Sequence, residues 1–291
     1  MNDRILERIA RQLSEHFGRK VEIQGFDVLG GGSINRAGKL RSSEGSFFIK
    51  YLREAHAAPM YACEVRGLEL LSRHSPLSVP EPVMNGRVDD LSFLILKHIP
   101  QGEKGPGFYE DFAVELAAQH RKVSEKYGLD YDNFIGSLPQ SNRQHEDWNS
   151  FYIEERIAPM LRQAVDSGLI GRELMRKFDS LFLHVDSIFP KEPPSLLHGD
   201  LWGGNHMAGP DGRPWIFDPA VYYGHREMEL AFTSVFFAFP SEFYEAYQAA
   251  WPLQAGFRKR ISYYQLWPLM VHLNLFGNSY LSPVKRILSV F

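Results

Sequence analysis

One cysteine, Cys63, among 291 residues leaves no partner for an intrachain disulfide and no thiolate set for a zinc cage. Long apolar runs are missing too: none approaches the roughly 18 residues that a membrane span needs. The opening Met-Asn-Asp-Arg-Ile-Leu-Glu-Arg is charged throughout and lacks the apolar stretch of a secretory signal. Neither sign of charge dominates, with 32 Lys and Arg against 35 Asp and Glu. Nothing electrostatic therefore points to a nucleic-acid or anionic-membrane partner. Internal repeats and low-complexity tracts are also absent. What is present, 44% hydrophobic and 23% charged residues, sits near globular averages and excludes disordered, collagenous and coiled-coil chains. The expectation is a cytoplasmic globular protein of two domains, or of one domain with two lobes.

Hydrophobic spacing divides the chain. Ile5, Ile9, Leu13 and Phe17 lie four apart, as on one face of a helix that Gly18 would stop. Val21, Ile23, Phe26 and Val28 then read as strand, followed by Gly30-Gly31-Gly32-Ser33 and a partner strand over 37–40. Ser46 to Leu52 is a β-rich run with a lone lysine, Lys50, inside it. Pro59 opens a helix with Tyr61, Val65 and Leu68 on its buried stripe, and Leu91 to Ile99 is a further buried strand. Gly102-Glu103-Lys104-Gly105-Pro106-Gly107 marks a linker. Helical periodicity dominates beyond it, over about 108–126, 146–166, 172–189, 225–250 and 256–289, with a non-helical segment from Pro193 to Gly224. The predicted architecture is a β-rich lobe over 1–99, ending in a hinge, and a larger helical lobe over 100–291.

The densest chemistry lies in that non-helical segment, at Leu197-His198-Gly199-Asp200-Leu201-Trp202-Gly203-Gly204-Asn205, with Asp218 thirteen positions later at the end of a short strand. An Asp, an Asn five residues on and a second Asp after a hairpin form the pattern by which kinase-like enzymes deprotonate a hydroxyl and hold Mg²⁺. Asp200 is the candidate base; Asn205 and Asp218 offer hard oxygen ligands. Singly, each of these residues reads as a turn former, and His198 as a histidine bracing the loop. A His198/Asp200/His206 metal site is set aside because neither histidine has the helical spacing of a zinc enzyme.

Gly30-Gly31-Gly32 alone is a flexible turn, and it lacks the Gly-Lys-Ser/Thr ending of a Walker loop. Its order relative to other residues gives it meaning. Lys50 lies in an apolar strand where an unpaired ammonium is costly, and Glu64, in the next helix, can neutralise it. As a surface pair the two would contribute under about 1 kcal/mol. A Gly-rich hairpin, a strand lysine and a helix glutamate, in this order ahead of the Asp/Asn/Asp set, are the phosphate-handling parts of a kinase.

The chain then resembles a known family. Gly31-Gly32-Ser33-Ile34-Asn35, Leu196 to Asn205 and Asp218 to Glu227 are similar to the fructosamine kinases (ketosamine-3-kinases), relatives of the aminoglycoside and choline kinases. The similarity extends through Tyr131 to Gly136, Pro139 to Asn142, Asp147-Trp148, Glu155-Arg156 and Leu273 to Gly277. It implies an α+β, bilobal protein-kinase-like fold and an ATP- and Mg²⁺-dependent kinase. The acceptor would be the 3-hydroxyl of a free or protein-bound ketosamine, and the outcome release of the glycated amine. Carried over by position, Asp200 is the catalytic base, and Asn205 and Asp218 bind Mg²⁺. Gly30, Gly31, Gly32, Ser33, Lys50 and Glu64 serve ATP, and Lys97, His98 and Ile99 form the hinge that meets adenine. Trp202, Tyr223, His225 and Glu227 are the acceptor-side candidates, although the aromatic residues also suit simple core packing. An aminoglycoside or choline kinase is the alternative. Two positions depart from the family pattern, Gln119 before His120 and Glu229 in place of Asp, and both read as supports.

Overall fold

The computed structural model of the protein describes residues 1–30 and 35–291. Ile5, Ile9 and Leu13 are buried on one face of α1 (Asp3–Phe17). Asn2 caps this helix through the Ile5 N–H, and Gly18 closes it in the left-handed conformation. A five-stranded antiparallel sheet follows, in the order β1-β2-β3-β5-β4. Its strands are β1 (Ile23–Leu29), β2 (Arg36–Ser42), β3 (Gly45–Leu52), β4 (Pro82–Val88) and β5 (Leu91–Lys97), with α2 (Ala57–His74) between β3 and β4.

Strand alternation decides which residues reach the site. Phe47, Ile49 and Tyr51 of β3, with Phe93 and Ile95 of β5, pack in the cluster that contains the α1 residues. Phe48 and Leu52, with Leu94 and Leu96, pack in the cluster that contains Met60, Tyr61 and Leu68 of α2. With a period of two, Lys50 falls on the α2 face. Both faces of β5 are therefore covered, which explains its unbroken apolar run.

The rest of the chain is mainly helical: α3 (Phe108–His120), α4 (Trp148–Phe151), α5 (Ala158–Asp166), α6 (Arg172–Phe182), α7 (Val185–Ile188), α8 (Arg226–Phe232), α9 (Ser241–Ala250), α10 (Phe257–Phe276) and α11 (Leu281–Ile287). Three two-stranded pairs interrupt it. They are β6 (Asn133–Ile135) with β7 (Leu138–Gln140), β8 (Ser195–Leu197) with β11 (Tyr222–Gly224), and β9 (His206–Ala208) with β10 (Pro214–Ile216). This is the expected α+β, bilobal arrangement.

Several helices are shorter than their hydrophobic spacing suggests. The first stops at His120, because Val123 bridges to Ser195 and Ser124 donates to the Pro194 carbonyl. The stretch 225–250 breaks into α8 and α9 where Pro240 forces an extended start. Tyr152–Ile157 is a π-helical stretch joining α4 to α5. Among the described residues, no helix is long and apolar enough to cross a membrane.

Candidate active site

Lys50 lies between the two lobes' acidic groups. Its ammonium donates to Glu64 at 2.7 Å and to Asp218, with a side chain only 4% exposed. Burial opposes the charge, but Asp218 and Glu64 outweigh it and hold the lysine above its ordinary pKa. Of the two carboxylates, only Glu64 is foreseeable from order along the chain. The contact to Asp218, 168 residues away, requires the lobes to close on each other.

The loop carrying Asp200 is held from inside. Glu229, wholly buried, accepts the His198 N–H at 3.0 Å and the Gly199 N–H at 2.7 Å, as well as His120 Nε2 at 2.9 Å. Burial opposes ionisation of Glu229, yet His120 and these donors keep its carboxyl below the ordinary value. Gln119 adds a second strut, donating to the Leu196 carbonyl and accepting from Ser75. Both departures from the family pattern are thus supports of the loop that carries Asp200. His198 is buried and donates from Nε2 to the Phe217 carbonyl at 3.0 Å, so it braces the loop as its position suggests. Gly199 has φ of 85°, and a Cβ there would sit 2.1 Å from the Ala220 carbonyl oxygen, so only glycine fits.

Asn205 donates its amide to the Asp200 carbonyl at 2.8 Å and to Asp200 Oδ2 at 3.0 Å. Its amide oxygen accepts nothing among the described residues. Burial, and then the Asp218 carboxylate, push the Asp200 carboxyl well above its ordinary value. Two neighbouring carboxylates and a free amide oxygen, with no thiolate among them, fit a hard divalent cation such as Mg²⁺. Asn205 and Asp218 are the residues that would hold it.

At the hinge, Lys97 donates its N–H to the Glu81 carbonyl and His98 to the Ser46 carbonyl, whereas the Ile99 N–H has no partner among the described residues. The Lys97 side chain points to Glu81 and is exposed. Gly30 is exposed; Gly31, Gly32 and Ser33 lie outside the described residues. A cavity of about 500 Å³ opens between Gln101, Lys104 and Tyr109 on one side and Gly203, His206, Met207 and Phe237 on the other. A second, of about 880 Å³, lies between the end of α2, Val79–Pro82 and Trp215, and reaches Lys97 and Ile99 but none of Lys50, Glu64, Asp200 and Asp218.

The sequence pattern of the fructosamine kinases matches residues 5–291. The chain belongs to the fructosamine kinase family. A probable ketoamine kinase of Escherichia coli strain K12 is 36% identical over 278 residues, covering 94% of this chain and 95% of its own. A crystal structure of a fructosamine-3-kinase candidate from Haemophilus somnus 129PT superposes with a TM-score of 0.87 at 30% identity, covering 97% of this chain and 96% of that one. Aminoglycoside phosphotransferase APH(4)-Ia, crystallised with ADP and hygromycin B, shares the fold alone, with a TM-score of 0.63 at 16% identity over 97% of this chain and 98% of that one.

For this fructosamine kinase family member, the acceptor-side expectations need correction. His225 is wholly buried, caps α8 through the Glu227 N–H and meets the Pro190 carbonyl. Burial pushes its pKa down to about 4. Glu227 is also wholly buried and pairs both oxygens with Arg260 at 2.6 Å. Neither presents a group to an acceptor. Tyr223 exchanges backbone hydrogen bonds with Gly128, and its ring packs against the cluster around α3. Trp202 alone stays beside Asp200, its ring stacked on Phe237 at 6.1 Å. Phe237 itself escapes the sequence reading. It is 82% exposed with φ of 51°, in a loop that the helical period disguises.

The Glu227–Arg260 pair gives a stability prediction. Arg260→Met strands a buried carboxylate and should cost about 3–5 kcal/mol in urea unfolding, most of it recovered by adding Glu227→Leu. A loss under about 1 kcal/mol would show the pair to be solvated.

Proposed function

We propose that this protein transfers the γ-phosphoryl group of ATP to the 3-hydroxyl of a ketosamine, with Mg²⁺ as the metal. The observation that carries this reading is Asp200, held by Asn205 on a loop whose His198 and Gly199 N–H groups Glu229 accepts, next to Asp218, with Lys50 reaching across from the other lobe. Lys50, kept charged, binds phosphate oxygens, and Glu64 fixes its direction. The Ile99 N–H and the hinge carbonyls receive the adenine edge. When bound, the metal neutralises phosphate charge. Asp200 accepts the proton as the acceptor oxygen forms its bond to Pγ and the bond from Pγ to the bridging oxygen breaks, releasing ADP. The phosphate then serves as leaving group, the adduct decomposes, and the amine is freed.

The acceptor side favours a ketosamine over an aminoglycoside. The 500 Å³ cavity is lined by Gly203 of the loop that carries Asp200 and by Phe237, but by neither Asp200 nor Trp202; its lining has no carboxylate among the described residues and one ammonium, Lys104. An acceptor with several ammonium groups wants an acidic surface; a sugar carbon skeleton wants an aromatic wall such as Trp202 and Phe237. With ATP and Mg²⁺, glucose- and ribose-derived ketosamine lysine should be turned over far better than kanamycin. Trp202→Ala should raise KM for the ketosamine about tenfold and leave KM for ATP within about twofold, from the loss of one aromatic contact. Kanamycin outrunning ketosamine lysine in kcat/KM would overturn the substrate, and ATP use with neither would overturn the acceptor class.

A further inference from the structure

The stretches Tyr131 to Gly136, Pro139 to Asn142 and Glu155-Arg156 take no part in the chemistry just described, yet four of their polar side chains are buried in one chain of contacts. Asn133, Gln140, Asn142 and Arg156 are each at most 4% exposed. Arg156 donates to the Asn142 side-chain oxygen at 2.8 Å, and Asn142 donates to the Asn133 side-chain oxygen at 3.0 Å. Gln140 donates to the same Asn133 oxygen at 2.8 Å. The chain ends on two main-chain acceptors. Asn133 donates to the Val221 carbonyl at 2.8 Å, and Gln140 to the Ala220 carbonyl at 3.1 Å.

Those two carbonyls lie two and three residues after Asp218, whose own φ of 59° is a left-handed conformation that needs outside support. The Ala220 peptide also donates its N–H to the His198 carbonyl at 2.9 Å, two residues before Asp200. One residue, Ala220, through its N–H and its carbonyl, thus ties the hairpin β6–β7 to both acidic loops. The same hairpin docks on α2. Phe134 packs into the cluster of Tyr61 and Leu68, and the Arg66 guanidinium lies 3.4 Å over the Tyr131 ring. At Gly67 of α2, an added Cβ would sit 3.3 Å from Pro219 and 3.4 Å from Val221.

Stability alone is a poor reason for this arrangement. Apolar side chains could fill the same space without desolvation cost. Moreover, Gln140 Oε1 and Arg156 Nε are buried with no partner among the described residues, a penalty a purely structural network would shed. What the amides provide is direction, because each fixes a donor against one carbonyl in a buried setting.

We propose that the β6–β7 hairpin is a positioning element, in which Gln140 and Asn133 set Asp218 relative to Asp200 while Phe134 holds α2, and with it Glu64 and Lys50, in register. The inference rests on the reading of Asp218 as a metal-holding residue. Its test is nucleotide binding by calorimetry on the full chain, with Mg²⁺ and with EDTA, so the readout is independent of turnover. Gln140→Met keeps length but removes both donated bonds. It should weaken Mg·ATP binding about five- to tenfold while metal-free ATP stays within about twofold. Leu138→Ala, a cavity in the same hairpin that leaves the amides in place, should lower Tm without changing the ratio of the two affinities. Phe134→Ala, only half-buried and outside the amide chain, gives a second folded probe and should weaken binding about threefold in both buffers. An unchanged ratio in Gln140→Met, the same ratio change in Leu138→Ala, or normal binding in Phe134→Ala would overturn the proposal. A wild-type protein whose ATP affinity ignores Mg²⁺ would instead overturn the metal reading beneath it, and the inference with it.

Discussion

Asp200→Asn should lower kcat by about 10²–10⁴, the size of a general-base contribution, with ATP affinity near that of the wild type. The substitution is nearly isosteric. The Asn205 amide can still donate to a side-chain oxygen at position 200 and to the main-chain carbonyl, so the loop keeps its shape. What disappears is the capacity to accept a proton. Because burial and Asp218 raise the Asp200 carboxyl, the acid limb of wild-type kcat/KM should lie above the ordinary carboxylate range, since the base works only when ionised. That limb should vanish from the residual activity of the variant. Turnover within threefold of wild type would remove Asp200 from this role.

Lys50→Met should reduce kcat/KM for ATP by about 10²–10³, as loss of a preorganised charge at the transferred phosphate does. Glu64→Gln should cost less, because Asp218 still holds the ammonium. In the double variant the second change has little left to remove: with Lys50 gone, Glu64 has nothing to orient. The double loss should therefore match that of Lys50→Met and fall short of the sum of the singles. Additive losses in this cycle would mean that the 2.7 Å contact does not function during turnover.

The order of parts along the chain was legible because each carries a local signature. Strand lysine, helix glutamate and the Asp200/Asn205/Asp218 spacing are all set by short-range geometry. The acceptor side was not legible. Tyr223, His225 and Glu227 stand close to Asp218 in sequence, but the start of α8 turns His225 and Glu227 into the interior, where the Pro190 carbonyl and Arg260 use them, while the half-buried Tyr223 packs beside the α3 cluster. Phe237 lies 35 positions beyond Trp202 and reaches it because the chain leaves the helix after Phe232 and resumes one only at Ser241.

The sequence by itself determined the lobes, the alternation that puts Lys50 on the face of β3 covered by α2, and the residue types of the reacting set. Only the tertiary structure decided what those residues lean on. Glu229 is one of two glutamates in the short helix α8 until the turn after β8 brings the His198 and Gly199 N–H groups against it. Gln140 and Asn133 lie in stretches whose role the sequence leaves open until the Ala220 and Val221 carbonyls, some 80 positions on, become their acceptors. The physical reason is that a buried polar group is defined by the partner that satisfies it. For these groups the partners come from elements distant in the chain, where local propensity carries no information.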